Sequence, residues 1–360
     1  MRILYLYNLK SNNPGNSALF HGCRNIMTSL VGDHESQIFD LDILAYRKIE
    51  QANFVNLCNQ YDYVVVSGLV IFNGQIHYSR TGSKIDIDIK YLSEINSKFI
   101  LLGVSSIVWE GGKGNRGDYH HIEKLKDFLK FIRNKKNFYM FYRDDDSSSL
   151  ISELTGDKTD FAQIIDPAIF EFYKLKNNEK KKSKIFVNLN GEDFEERFPD
   201  GTNQLINPIS EAINNALDNK KFDNVVLQPH SPEDLYILSL LSEKISPFHY
   251  NRNLEIGGLP SSENWKYVYE RYYSECSLLI SMRIHSINPA CAMGVPTICI
   301  PSSRRIYYFA NKFLTKNHIF EPQKDKNLEA RVFNPPIMNE VRKKINLECN
   351  KAIDKLKKII

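Results

Sequence analysis

The feature that most constrains the fold is a repeated alternation of short apolar runs with longer amphipathic segments. In the first half of the chain, apolar runs of strand length occupy residues 3–6, 63–66, 99–102 and 138–142. Each run is rich in branched or aromatic residues and ends at Gly, Asn, Ser or Asp, and helix-length stretches lie between the runs. Near-continuous apolar strands that alternate with helices predict a parallel sheet with both faces covered, which is a doubly wound α/β domain.

The same pattern restarts after a segment rich in lysine and asparagine, residues 174–182, which is the best linker candidate. Strand-like runs follow at 185–189, 225–227, 278–280 and 297–300, and residues 338–360 read as one amphipathic helix. We therefore predict an α/β chain of two doubly wound, Rossmann-like domains, 1–176 and 183–325, that face a central cleft. The helix at 338–360 is expected to pack back on the first domain.

Composition narrows the classes of function. The net charge of +4 over 360 residues does not argue for nucleic acid. No apolar run reaches the roughly 20 residues that span a bilayer, and the N-terminus becomes polar too soon for a signal peptide. The six cysteines form no CxxC pair, so we expect a cytoplasmic enzyme without a disulfide framework or zinc site.

Basic residues cluster at 180–184 and 342–358. The simpler interpretation is a solvated linker and a solvated helix face, and the alternative is contact with the inner face of a membrane.

The most informative stretch is residues 278–298. It reads as a buried strand, an Arg-x-His turn formed by Arg283 and His285, a short helix of small residues, Gly-Val-Pro and another strand. An arginine fork beside a helix N-terminus suits a carboxylate or a phosphate, and a histidine there can transfer a proton. In the alternative interpretation, His285 caps the helix and Arg283 pairs with a nearby acid.

Ser-Met-Arg-Ile-His, followed by small residues and Gly-Val-Pro, resembles the polysaccharide pyruvyl transferase family, whose members carry an Arg-Leu-His element at this place. Shorter resemblances are less specific. They are the loop 13–17, the Arg-Asp-x-x-Ser element that begins at Arg143, the Asp-Pro-Ala at 166–168 and the Pro-His turn at 229–230 together with Asp234.

The resemblance implies a fold similar to the B-type glycosyltransferases. It also implies phosphoenolpyruvate as the donor substrate, no cofactor and no essential metal. The acceptor would be a glycan or a lipid-linked sugar, and the product a pyruvate ketal on a bacterial surface polysaccharide such as a capsule or exopolysaccharide.

Phosphoenolpyruvate carries a carboxylate and a phosphate, so its site needs several cations or N–H donors close together. Arg143 and Arg283 are predicted to supply cations, and His285 to protonate the enol methylene. The chain has Arg304 and Arg305 where many family members have a lysine, and either arginine would replace it. We also assign Ser286 and His230 to the substrate site.

The loop that contains Asn13, Gly15 and Asn16 has two interpretations. Its backbone N–H groups would wrap a ligand, because glycine permits a close approach, or Asn16 would simply cap a helix. The loop is neither GxGxxG nor a P-loop, which disfavours a dinucleotide or ATP.

Two long glycine-containing loops, 68–83 and 104–121, are predicted to face the acceptor. Trp109 would stack on a sugar, and Glu110 would orient hydroxyl groups. Arg116 completes the predicted substrate contacts. The acids that follow Arg143 more often cap a helix than bind a metal.

The alternative function is that of a glycosyltransferase with a nucleotide-sugar donor on the same scaffold. Glu255 and Glu263 are then candidates to bind the ribose. A non-catalytic, glycan-binding role is the second alternative.

Overall fold

The computed structural model describes residues 1–8, 13–45, 48–67, 70–73, 79–107, 121–158, 161–175, 183–192, 194–198, 200–261 and 264–360. The chain divides into two compact units. Unit 1 contains the first strand, the described residues within Ala18–Glu171 and the C-terminal Glu348–Ile360. Unit 2 contains residues 13–17 and the described residues within Phe172–Leu347.

Unit 1 is built on a parallel sheet in the order β2-β1-β3-β5-β6-β7, with β4 paired to β5. Its apolar runs form the central strands, which are buried on both faces because helices cover the sheet. The strands are β1 Arg2–Tyr7, β2 Glu35–Asp40, β3 Tyr63–Ser67, β4 Val70–Asn73, β5 Lys98–Ile107, β6 Phe138–Arg143 and β7 Ala162–Ile164.

The helices before the second sheet lie between these strands or after the last of them. Helix α1 begins in unit 2 and continues in unit 1. The helices are α1 Pro14–Val31, α2 Leu41–Ala45, α3 Gln51–Cys58, α4 Ile89–Leu92, α5 Ile122–Asn134, α6 Ser147–Thr155 and α7 Ile169–Phe172.

Unit 2 has a parallel sheet in the order β10-β9-β8-β11-β12. In chain order these are the third, second, first, fourth and fifth strands of the unit, so the winding direction reverses between β8 and β11. The strands are β8 Lys184–Asn188, β9 Asn224–Leu227, β10 Leu254–Ile256, β11 Cys276–Ser281 and β12 Thr297–Cys299.

The helices of unit 2 cover both faces of this sheet. A π-helical turn, Thr202–Ile206, leads into α9, and a 3₁₀ turn, Lys316–His318, follows α14. The helices are α8 Phe194–Arg197, α9 Asn207–Asp218, α10 Asp234–Lys244, α11 Pro247–Tyr250, α12 Trp265–Glu275, α13 Ile284–Met293, α14 Arg304–Phe313, α15 Leu328–Phe333 and α16 Asn339–Ile359.

The structure moves the first predicted domain boundary. Phe172 already belongs to unit 2, because its ring packs against Trp265 and Tyr269 with centroids 6.2 and 5.3 Å apart. The C-terminal half of α16 groups with unit 1, where Lys98 Nζ donates to the carbonyl of Ile360 at 2.8 Å.

Two further observations bear on earlier expectations. All six cysteines are free and buried. Among the helices in the described part of the chain, none is long and apolar enough to cross a membrane.

Candidate active site

The candidate site lies in unit 2, where the winding direction of the sheet reverses. In open α/β sheets, ligands bind beyond the carboxyl ends of the strands at such a point. Asn188 ends β8 and Ser281 ends β11, and backbone hydrogen bonds hold the two ends together, since the Met282 amide donates to the Asn188 carbonyl at 3.0 Å. The turns after β8, β9 and β11 therefore converge on one small region.

Arg283 is paired with a buried acid. Its Nε donates to Oδ2 of Asp234 at 3.2 Å, and its Nη2 donates to Oδ1 of Asp234 and, at 2.8 Å, to Oγ of Ser231. Asp234 is fully buried and Arg283 nearly so. Two nitrogens of the guanidinium thus bind one carboxylate. Pairing of Arg283 with a nearby acid is the alternative interpretation given in the sequence analysis.

Asp234 also organises the backbone around it. It accepts hydrogen bonds from the amides of Gly191 at 3.0 Å, His230 at 2.9 Å and Ser231 at 3.3 Å. One carboxylate thus holds the turns after β8 and β9 against the arginine that follows β11.

The remaining nitrogen of the fork faces a second acid. Arg283 Nη1 lies 3.5 Å from Oε1 of Glu192, whose side chain is 37% exposed. Two carboxylates therefore surround one guanidinium, and the cluster carries net negative charge. Binding of a substrate anion by Arg283 stays a prediction, and in this structure the nearest anions to it are Asp234 and Glu192.

His230 and Ser286 belong to a buried network of hydrogen-bonded side chains beside the Arg-x-His turn. Ser286 Oγ donates to Oδ1 of Asn188 at 2.6 Å, and His230 Nε2 lies 3.1 Å from Ser286 Oγ. Since the single hydroxyl proton goes to Asn188, Nε2 of His230 must be the donor in that contact. Asn188 in turn donates to the carbonyl of Gln228 at 2.7 Å.

The environment of His230 keeps it neutral. Burial, and then the positive charge of Arg283, lower its pKa from 6.5 to about 3, and Asp234 offsets this only in part. His230 is therefore suited to hold Ser286 in place and not to deliver a proton near neutral pH.

His285 occupies the first turn of α13, after the end of β11, and is half-buried. Pro289 lies inside this helix and has no N–H, so the carbonyl of His285 lacks its usual donor four residues on. The hydroxyl of Tyr269 supplies one at 2.7 Å, and that of Tyr273 donates to the carbonyl of Ser286 at 3.1 Å. The turn that carries His285 is thereby anchored to α12.

Gly15 packs directly against His285. A methyl group added at Gly15 would lie 2.2 Å from Cγ of the His285 ring, so only glycine allows this approach. Asn13, not Asn16, caps α1, because Asn13 Oδ1 accepts from the Gly15 amide at 2.9 Å and the helix begins at Pro14. The loop therefore lies in unit 2 beside the Arg-x-His turn.

Arg304 and Arg305 begin α14, after β12. The segment before them is tied to the Arg283 turn, since Ser302 Oγ donates to the Met282 carbonyl at 3.1 Å. Both arginines are half-buried. They lie at the carboxyl edge of the same sheet as His285.

Arg143 lies in unit 1 at the end of β6 and is 1% exposed. Its Nη1 is 3.4 Å from Oδ2 of Asp166 and its Nε is 3.9 Å from Oδ2 of Asp145. Asp145 also accepts a hydrogen bond from the amide of Ser147, the first residue of α6, at 3.2 Å, and Asp146 is the N-cap residue of that helix. A substrate role for Arg143 stays a prediction.

Three predicted site residues, Trp109, Glu110 and Arg116, lie outside the described residues, as does Glu263. Glu255 pairs with Lys184 at 3.0 Å. In the described part of the chain, no group of three or more His, Cys, Asp or Glu residues is arranged to hold a metal ion.

Sequence reasoning missed Asn188 and Tyr269 as site residues, and it named Asp234 only as part of the Pro-His turn, without a role of its own. A signal existed for Asn188, because it lies near the end of a predicted strand, but polar residues at many other strand ends look the same. Tyr269 gave no signal, because its role arises from the proline on another helix.

The family model for polysaccharide pyruvyl transferase matches residues 6–304 and thus includes this site and both sheets. The chain belongs to the polysaccharide pyruvyl transferase family. It is accordingly a transferase enzyme. Comparison with curated proteins gives no match.

Solved structures establish the similarity of the fold. HepE from Anabaena in complex with UDP-glucose matches with a TM-score of 0.54 at 8% identity, covering 99% of this chain and 97% of that chain. UDP-GlcNAc 2-epimerase from Neisseria meningitidis, bound to UDP-GlcNAc, matches with a TM-score of 0.53 at 12% identity, covering 100% and 99%. A putative UDP-N-acetylglucosamine 2-epimerase from Listeria monocytogenes matches with a TM-score of 0.51 at 10% identity, covering 99% and 96%. The pyruvyl transferase therefore has the two Rossmann-like domains of B-type glycosyltransferases and related epimerases.

Proposed function

We propose that this pyruvyl transferase moves a pyruvyl group from phosphoenolpyruvate to a sugar of a bacterial surface polysaccharide, or of its lipid-linked precursor, to form a pyruvate ketal. The observation that carries the proposal is the position of His285. It lies on the first turn of α13 at the point where the sheet reverses direction, against Gly15 and beside the Arg283 cluster.

The proposed donor site uses groups that favour anions. The first turns of α13 and α14 each present backbone N–H groups and the positive end of a helix dipole. Arg304 and Arg305 add two cations at the second of these turns. A carboxylate and a phosphate on one small carbon frame are stabilised by this combination of fixed dipoles and guanidinium groups.

His285 is the proposed proton donor because His230 is unsuitable. The low pKa of His230, about 3, leaves it neutral, and its Nε2–H is directed to Ser286. Histidine is the side chain best matched to proton transfer near neutral pH, which contributes typically 10²–10⁴-fold to rate. His285 is half-buried and stands on a helix turn that Tyr269 anchors, so its ring would meet the substrate in a fixed place.

The proposed reaction begins with a proton transfer and the formation of one carbon–oxygen bond. The imidazolium proton of His285 goes to the methylene carbon, and the first sugar hydroxyl oxygen bonds to the central carbon. The bond from that carbon to the phosphate oxygen breaks, phosphate leaves with the electron pair, and the second hydroxyl oxygen takes its place. Of the two hydroxyl protons, one restores His285 and the other leaves on hydrogen phosphate. Fixed dipoles at the helix turns stabilise the departing charge.

Thermal unfolding of the full chain with phosphoenolpyruvate or with UDP-glucose tests the donor. A ligand at 100 times its dissociation constant stabilises a protein by about 2.7 kcal/mol, which is a readily measured rise in Tm. We expect phosphoenolpyruvate to raise the Tm and UDP-glucose to leave it unchanged. The reverse result would favour the nucleotide-sugar alternative, in which the shared fold keeps the donor of the glycosyltransferases. Contact of the basic face of α16 with a membrane that holds a lipid-linked acceptor stays a prediction.

A further inference from the structure

The Arg283 cluster contains a carboxylate, that of Glu192, which the pairing of Arg283 with Asp234 does not require. Nε and Nη2 of Arg283 are occupied by Asp234 and Ser231, both on the turn and helix that follow β9. Only Nη1 is directed to Glu192. The two contacts differ in kind, because Asp234 is fully buried and Glu192 is 37% exposed.

The contact between Nη1 and Glu192 is loose. Its 3.5 Å separation exceeds the 2.7–3.2 Å range of a good N–H···O hydrogen bond. Ion pairs that water reaches contribute little, so this one opens at small cost.

Backbone hydrogen bonds hold the turn that carries Glu192. The Glu192 amide donates to Oδ1 of Asn190 at 3.0 Å, and the preceding Gly191 amide donates to Oδ1 of Asp234 at 3.0 Å. Rotation of the Glu192 side chain therefore removes its carboxylate from Arg283 without moving the turn.

We propose that Glu192 is a competing carboxylate that an anionic group of the donor displaces from Nη1 of Arg283. An anion bound at Nη1 would lie within a few ångströms of the Glu192 carboxylate, and like charges so close repel. The cluster as it stands is net negative, and rotation of Glu192 leaves Arg283 and Asp234 balanced. Glu192 thus sets how tightly the site takes a phosphate or carboxylate. This inference rests on the proposed function for its choice of phosphoenolpyruvate as the anion.

Substitution Glu192→Gln tests this, because it removes the charge and keeps the shape of the side chain. Glu195→Gln is the matched control: it makes the same change of net charge on an exposed side chain of the adjoining helix α8. Binding of phosphoenolpyruvate and of inorganic phosphate is measured by calorimetry for the three full-length proteins. We expect Glu192→Gln to bind both anions about two- to fivefold more tightly than the wild type, in keeping with the worth of a partly exposed ion pair. Glu195→Gln should match the wild type.

Unchanged or weaker binding of both anions by Glu192→Gln would overturn the inference, as would the absence of binding to all three proteins. Unchanged affinity with a collapse of kcat would also overturn it, because Glu192 would then take a proton from the acceptor. The donor is tested separately. If the wild type binds phosphate but not phosphoenolpyruvate, and Glu192→Gln binds phosphate more tightly, the proposed donor is wrong and the role of Glu192 stands.

Discussion

A single carboxylate, that of Asp234, accepts hydrogen bonds from three backbone amides and from Arg283. Taking two charges out of water is costly, and their attraction repays the cost only when both are present with good geometry. Loss of Asp234 would leave the buried guanidinium of Arg283 with only Glu192, a loose and partly exposed carboxylate, beside it.

We predict that Asp234→Asn lowers the free energy of unfolding by about 3–5 kcal/mol, because it leaves the buried Arg283 with only the loose, partly exposed Glu192 as its counter-charge. Urea unfolding of the wild type and the variant measures the loss. Asp218→Asn is the matched control, since Asp218 is 64% exposed and pairs with His249, so its loss should be below about 1 kcal/mol. Equal losses for the two substitutions would contradict the assignment of Asp234.

His230 makes stability depend on pH. Its folded pKa of about 3 lies below the ordinary 6.5, so the unfolded chain binds the proton more readily. Above about pH 6.5, His230 is neutral in both the folded and the unfolded chain, and the stability is at its full value. As the pH falls from about 6.5 to about 3, protonation of His230 in the unfolded chain lowers the free energy of unfolding. Each pH unit within the window corresponds to about 1.4 kcal/mol.

We predict that the wild type loses about 2 kcal/mol more stability than His230→Gln between about pH 7 and about pH 5. Glutamine keeps a donor for Ser286 and does not titrate. Unfolding curves at the two pH values give the comparison, and parallel losses in the two proteins would show that His230 does not titrate on unfolding.

At the scale of elements, α13 shows how a helix turn is fixed by its neighbours. Pro289 removes one helical hydrogen bond, Tyr269 on α12 replaces it, and Gly15 at the start of α1 admits the ring of His285. Contacts of this kind join distant parts of the sequence. The sequence pattern predicted α13 within one residue of its start, but not the tyrosine that anchors it.

We predict that Gly15→Ala lowers turnover on the order of 100-fold and lowers the free energy of unfolding by about 1–3 kcal/mol, because the added methyl group must displace the His285 ring. A misplacement of about 1 Å at a reacting group can cost this much in turnover. Phosphate release from phosphoenolpyruvate, with thermal unfolding alongside, makes the measurement. Gly258→Ala is the control, because a methyl group there would meet nothing within 4 Å. Full activity in Gly15→Ala would mean that the His285 ring need not stay where it is.

The central strands could be predicted because they are buried on both faces and so form continuous apolar runs, as β3 and β11 do. The edge strands β2, β7 and β10 could not, whereas the edge strand β12 could, because it is fully buried. The strand β2, with sequence ESQIFD, is largely exposed, and its polar residues look like a loop. The three-residue strands β7 and β10 are too short for any period to be read.

For the whole molecule, the two-domain fold followed from the doubled strand–helix pattern, whereas the grouping of residues 13–17 with unit 2 did not. That grouping depends on packing between segments far apart in sequence, such as Gly15 on His285. The predicted site residues Arg283, His285, Ser286 and His230 lie together in unit 2. The net negative charge of the Arg283 cluster could not be predicted, because Asp234 and Glu192 follow other strands and lie far from Arg283 in the sequence.

Enzymes that act on different substrates share this fold. Enzymes of nucleotide sugars share both sheets with this chain at 8–12% identity, so the architecture is compatible with more than one donor. The chain belongs to the polysaccharide pyruvyl transferase family, and the residues that follow β11 are those that we propose to carry the chemistry.

The most direct test of the central claim follows label from donor to acceptor. The wild type and His285→Ala are incubated with isotope-labelled phosphoenolpyruvate and a panel of hexose- and hexosamine-containing oligosaccharides, and the products are analysed by mass spectrometry. We predict a labelled ketal with the wild type and at least a 100-fold smaller yield with folded His285→Ala, which is within the usual contribution of a general acid. Equal labelling by the two proteins, or transfer of a sugar from UDP-glucose in place of the pyruvyl group, would contradict the account.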